Sequence, residues 1–207
     1  MKIITVCGFK GGVGKSTISN NLAERLENSI VVNLDFYQDA TEINSAETIN
    51  LGKNESIKKI NSLNKEYIII DAGGFDDSRL YEIKIDLFIF PLTTGYRSIK
   101  ATIDSSYTIL SQYKHIKNVM YVINKYKDDK DFEKSQAILE DILSKSTIPF
   151  DNVFLNGIKD SNAIQTVENE KQSIGQLRLR SVLANRSYSN IDDVYKDMSD
   201  EIKTIIK

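Results

Sequence analysis

Near the start of the chain, Gly8-Phe9-Lys10-Gly11-Gly12-Val13-Gly14-Lys15-Ser16-Thr17 brings together glycines, two lysines and two hydroxyls. Glycines let a backbone curl until several N–H groups point at one place, and such a place binds an anion. An apolar run, Ile3–Cys7, leads into the loop, and a helical pattern leads out of it from Ser16. The positive end of that helix dipole then adds to the same anion site. Lys15 supplies a cation for the outer phosphates of a nucleoside triphosphate, and the Ser16 hydroxyl is a ligand for Mg²⁺. Gly11, Gly12, Val13, Gly14, Lys15, Ser16 and Thr17 are the expected nucleotide-binding residues. The ordinary phosphate loop, G-x-x-x-x-G-K-[ST], has its first glycine where this chain has Phe9.

Two further positions belong with this chemistry. Tyr67-Ile68-Ile69-Ile70-Asp71 is an apolar run ending in a carboxylate, and a buried strand of this kind delivers Asp71 beside Mg²⁺ and its waters. Gly73 and Gly74 then allow the following loop to move with the terminal phosphate. Val122-Ile123-Asn124-Lys125 ends a later run. Taken with the D-x-x-G at Asp71 to Gly74, Asn124-Lys125 begins a guanine-reading N-K-x-D pattern. That pattern needs an acceptor carboxylate at the place of Lys127, and Asp128 comes one residue late. A lysine accepts no hydrogen bonds from a base, so adenine is favoured over guanine.

The stretch Lys10 to Thr17 resembles the deviant Walker A box, K-G-G-x-G-K-[ST]-[ST], of the ParA/MinD family. The resemblance implies a P-loop ATPase that binds ATP and Mg²⁺ and forms a homodimer around the nucleotide. In such a dimer the early lysine, here Lys10, reaches the partner's nucleotide and stabilises transition-state charge as an arginine finger does. The resemblance also makes Asn124 an adenine contact. It makes Ile158-Lys159-Asp160-Ser161-Asn162-Ala163-Ile164 the segment that closes over the base, with Asp160 as a nucleotide contact and Asp160 or Ser161 capping the next helix. Relatives usually carry D-x-D-P-Q where this chain has Asp35-Phe36-Tyr37-Gln38-Asp39. Asp35 matches the first aspartate. Tyr37 replaces the second, which places the attacking water, and a phenol cannot act as that carboxylate at neutral pH. Asp39 is the substitute that a remodelled loop would offer.

Lys10, Lys15 and Asp35 are thus the expected catalytic residues, and hydrolysis is expected to be slow and partner-stimulated. Two other readings stay open: a nucleotide-gated binding module with little hydrolysis, and a P-loop metabolic enzyme of the dethiobiotin-synthetase type. With the loop starting at Gly8 and no helix-turn-helix ahead of it, the chain resembles the short ParA class. That class implies plasmid partition with a separate ParB-like DNA-binding adaptor, and non-specific DNA as a second partner. Arg178, Arg180 and Arg186 form the expected DNA-binding patch. The acidic residues Asp192, Asp193, Asp197, Asp200 and Glu201 leave a merely solvated helix face as an equal reading.

These residues need elements to hold them. Apolar, β-branched runs recur at Ile3–Cys7, Ile30–Leu34, Tyr67–Ile70, Leu87–Phe90, Val119–Ile123 and Val153–Leu155. Continuous rather than alternating apolarity predicts strands covered on both faces. Helical spacing separates them at Ser16–Asn28, Ser98–Gln112, Phe132–Ser146 and Asp192–Lys207, while the polar region Gln38–Asn54 reads as a surface segment. The expected fold is a single α/β domain over residues 1–207, a doubly wound, mainly parallel sheet with helices on both faces. Such sheets bind ligands at the carboxyl ends of their strands. Net charge is −2, so no global field attracts nucleic acid or lipid. The mixed-charge C-terminus, Asp200-Glu201-Ile202-Lys203-Thr204-Ile205-Ile206-Lys207, argues against membrane binding. One cysteine, Cys7, excludes a disulfide within the chain and suits a cytoplasmic protein, nucleoid-associated if it binds DNA. Cys7 reads as core and His115 as surface, without chemical roles.

Overall fold

The computed structural model describes residues 1–34, 46–73, 77–113, 116–146, 150–170 and 172–207. The expectations for Asp35, Tyr37, Asp39, Gly74 and His115 lie outside these residues. The runs of Ile, Val, Leu and Phe form strands β1 (Lys2–Val6), β2 (Ser29–Asn33), β4 (Tyr67–Asp71), β5 (Leu87–Thr93), β6 (Ile116–Tyr126) and β7 (Phe150–Lys159). A further strand, β3 (Thr48–Asn50), lies in the segment expected to be polar surface. It is three residues long, pairs only with β2 and is partly exposed, so no apolar run marks it. The Asn33 amide donates to Asn50 Oδ1 at 2.9 Å across this pair. The seven strands form one sheet in the order β3-β2-β4-β1-β5-β6-β7, and every pairing between them is parallel.

Parallel pairing needs crossovers that cover both faces of the sheet, and two apolar cores result. On one face Ile68, Ile70, Phe88, Phe90 and Tyr121 pack under helices α2 (Tyr96–Leu110) and α3 (Asp129–Ser144). On the other, Ile4, Ile69, Ile89 and Met120 pack under α1 (Lys15–Ala23), α4 (Asn162–Glu170), α5 (Ile174–Arg178) and α6 (Val182–Ile205). Neighbouring residues of one strand therefore serve opposite cores, as the period of two requires.

The two largest departures of helix boundaries from the sequence reading have local reasons. Helix α1 stops at Ala23, well before Asn28, and Asn28 itself turns through a left-handed φ of 52° into β2. Helix α6 starts at Val182, ten residues ahead of Asp192. Ser181 Oγ accepts the Ala184 N–H at 3.0 Å and caps it. Its first turns carry exposed aliphatics instead of an amphipathic pattern, which hid them from a periodicity reading. Ile69 lies at the centre of the sheet with no exposed surface. Ile69→Ala is expected to cost about 2–5 kcal/mol of unfolding free energy. Urea denaturation would read this as a lower midpoint with an unchanged slope.

Candidate functional site

The register brings the carboxyl ends of five strands to one edge. Val6 pairs with Asp71 and with Ile89, Asn33 with Asp71, and Thr93 with Asn124. The glycine loop rises from β1 at this edge and enters α1. Gly14, the residue before α1, has a φ of 92°, a left-handed conformation that side chains resist. No side chain caps the helix there, so its first N–H groups remain available to an anion.

One side chain fixes the loop from below. Asn124, 3% exposed at the end of β6, donates its Nδ2 to the Val13 carbonyl at 2.8 Å. A Cβ on Gly14 would lie 2.3 Å from that nitrogen, so the approach is closed to any other residue. Asn124 Oδ1 is buried and has no hydrogen-bond partner among the described residues. The bond to Val13 requires a donor, which settles which amide atom faces the loop.

The two lysines are placed differently. Lys15 Nζ folds over the loop and donates to the Lys10 carbonyl at 3.1 Å, an oxygen standing where a phosphate oxygen would serve. Lys10 Nζ donates to Thr93 Oγ1 at 3.3 Å and Ser98 Oγ at 3.0 Å, and these two hydroxyls are 2.8 Å apart. Thr93 ends β5 and Ser98 lies in the first turn of α2. Neither was a sequence candidate. The contacts span 83 and 88 residues, and no local motif announces them.

Ser16 is half-buried in the first turn of α1, and Asp71 is 1% exposed at the end of β4. A hydroxyl and a carboxylate oxygen suit Mg²⁺, a hard cation that takes its other ligands from phosphate and water. Among the described residues no three His, Cys, Asp or Glu side chains come together to hold a metal by themselves. The uncapped helix end, the two ammonium groups and this oxygen pair fit a Mg-nucleotide. Asp160 is exposed just after β7, and its N–H donates to the Tyr126 carbonyl at 2.8 Å. Ser161 Oγ is buried with no partner among the described residues. Cys7 is buried.

The arginine patch lies apart from the loop, around the far end of α1 and the start of α6. Arg178 pairs with Asp192 and donates to Asn185 Oδ1 at 2.8 Å, so it is engaged within the chain. Arg180 pairs with Glu170, and Arg186 is exposed. Asp192 also pairs with Arg25, whose guanidinium sits 5.5 Å over the Tyr195 ring. Burial lowers the Arg25 pKa below its ordinary value. No helix among the described residues is long and apolar enough to cross a membrane.

Residues 4–205 match the family described as the CobQ/CobB/MinD/ParA nucleotide binding domain. No curated protein matches the sequence at a significant level. Among solved structures, the chain is similar to the ATP complex of a variant of Cyanothece McdA, with 13% identity and a TM-score of 0.66 over 98% of this chain and 96% of that one. It is similar to a plasmid partition protein from Borrelia burgdorferi, with 18% identity and a TM-score of 0.57 over 82% and 96% of the two chains. It is also similar to pNOB8 ParA bound to nonspecific DNA, with 15% identity and a TM-score of 0.51 over 91% and 99%. At these identities the likeness concerns the fold.

The geometry at Gly14 makes a clear prediction. Gly14→Ala is expected to abolish binding of a fluorescent ATP analogue while leaving the circular dichroism of the fold unchanged. Adding Asn124→Ala relieves the 2.3 Å clash but not the φ of 92°, so binding should return only in small part.

Proposed function

Because the chain belongs to the CobQ/CobB/MinD/ParA nucleotide-binding family, we propose that it is an ATP-driven switch that dimerises around Mg-ATP and partitions DNA. In this reading the switch works with a DNA-binding adaptor protein and non-specific DNA, and its cargo is a plasmid. The observation that carries it is the state of Lys10. Its ammonium is exposed at the mouth of the glycine loop and rests on two neutral hydroxyls, with no carboxylate among its described contacts. An ammonium held by hydroxyls keeps its charge available for phosphate on a facing copy. Lys15 would hold the outer phosphates, and Ser16 and Asp71 would hold the Mg²⁺. The metal, when bound, withdraws charge from the phosphates.

Asn124 supports adenine over guanine. Its amide nitrogen is spent on Val13, leaving a buried acceptor oxygen. An acceptor suits the exocyclic amino group of adenine and opposes the 6-oxo group of guanine. Asp160 remains a second nucleotide contact in this reading. Asp35 supports the switch, and Tyr37 keeps turnover slow until a partner intervenes.

Light-scattering mass tests the reading directly. A dimer is expected with ATP and Mg²⁺, and a monomer with ADP. Lys15→Ala should lose nucleotide and dimer together, whereas Lys10→Ala should keep the nucleotide and lose the dimer. A wild-type chain that binds ATP and stays monomeric would overturn the switch and favour the metabolic-enzyme reading. Competition binding should show ATP preferred over GTP by at least about tenfold, roughly 1.4 kcal/mol. Tyr37→Asp is expected to raise steady-state phosphate release several-fold. An unchanged rate would mean that the missing carboxylate does not limit turnover.

A further inference from the structure

Among the described residues in the first turns of α6, the half-buried Tyr188 is the one hydrophobic side chain that packs against the core. From Val182 to Asn190 no side chain is buried, and the buried stripe begins only at Ile191, continuing with Tyr195, Met198 and Ile202. On this overhang and the turn leading into it, Leu179, Val182 and Leu183 are 88%, 73% and 74% exposed. They are the three most exposed large apolar side chains among the described residues. Single exposed aliphatics are ordinary on protein surfaces, but three within five residues are a patch. Leu179 and Val182 also line an open groove of about 700 Å³, whose other walls include Glu24, Gly175, Asn185 and Asp192.

The segment that carries the patch has side-chain charge of one sign. Residues 172–190 contain Arg178, Arg180 and Arg186 and no carboxylate, in a chain whose net charge is −2. The two carboxylates of the groove wall are already engaged. Glu24 accepts the Ser173 hydroxyl at 2.6 Å and pairs with Arg25 at 3.3 Å, and Asp192 pairs with Arg25 and Arg178. The Arg180–Glu170 pair is exposed on both sides, and pairs of that kind are weak enough to exchange for an incoming carboxylate.

We infer that this face docks a partner protein, which presents an amphipathic helix with an apolar strip bordered by glutamates or aspartates. Charge complementarity selects the acidic border, and the exposed aliphatics select the apolar strip. DNA phosphates would match the arginines but offer nothing to three aliphatic side chains. A bilayer would accept the aliphatics, but it is flat where this face is grooved. The inference reassigns the arginine patch from nucleic acid to protein, and it stands independently of the nucleotide reading.

The test uses the full chain and a display library of random 16-residue peptides. Selection is on the wild type, with counter-selection on the double variant Leu179→Ser/Leu183→Ser. Both positions are exposed, so thermal melting should show the variant folded. Enriched peptides are expected to carry net negative charge and apolar residues at helical spacing. A synthetic copy of one should bind wild type at least tenfold more tightly than the double variant. Arg186→Glu should weaken it several-fold, and Val153→Ser, an exposed apolar site on β7, should leave it unchanged. Enrichment of basic peptides, or of none selective for wild type, overturns the inference. So does a 20-base-pair duplex, or a vesicle of phosphatidylcholine and phosphatidylglycerol, whose binding is lost in the double variant.

Discussion

In-register parallel pairing is the constraint on which the site depends. Val6, Asn33 and Asp71 form one rank across β1, β2 and β4, and Thr93 and Asn124 continue the carboxyl edge on β5 and β6. A slip of one residue in β4 would exchange Ile69 with Ile68 or Ile70 between two cores that are both fully packed. Burial on both faces forbids that slip. The position of Asp71 beside the glycine loop is thus secured by the apolar residues behind it, not by contacts made at the site.

At that edge the work is divided among short polar contacts of different kinds. Asn124 shapes the loop from below, through one hydrogen bond and the space that only a glycine leaves open. Thr93 and Ser98 hold Lys10 from the side. Helix α1 starts at the loop and ends at the Glu24–Arg25–Asp192 cluster, so nine residues, about 13 Å of helix, join the phosphate end to the groove beneath α6.

The glycine loop, Asp71 and the parallel sheet were legible in the sequence, since each rests on local pattern: a compact motif, an apolar run ending in a carboxylate, and β-branched stretches separated by helical spacing. What was not legible lies in contacts between distant segments. Nothing near Lys10 points to Thr93 or Ser98. Nothing near Arg178 shows that Asp192, a residue of the next helix, will occupy it. Strand β3 escaped because three partly exposed residues carry no periodicity. The start of α6 escaped because Leu179, Val182 and Leu183 face outward, where an amphipathic helix would turn them in. The resemblance to the ParA/MinD family, drawn from eight residues, agrees with the family match across residues 4–205.

Lys10 and Lys15 place two ammonium groups on one face, with hydroxyls and a carbonyl as their described neighbours. Neither oxygen type carries a compensating charge. If two copies meet through that face, four cations converge, and the free faces repel one another. Association then waits on anionic charge supplied from solution, and its strength follows the number of phosphates present. A triphosphate brings more of that charge than a diphosphate. In such a pair the choice between joining and separating would follow a count of charges, before any loop has to move.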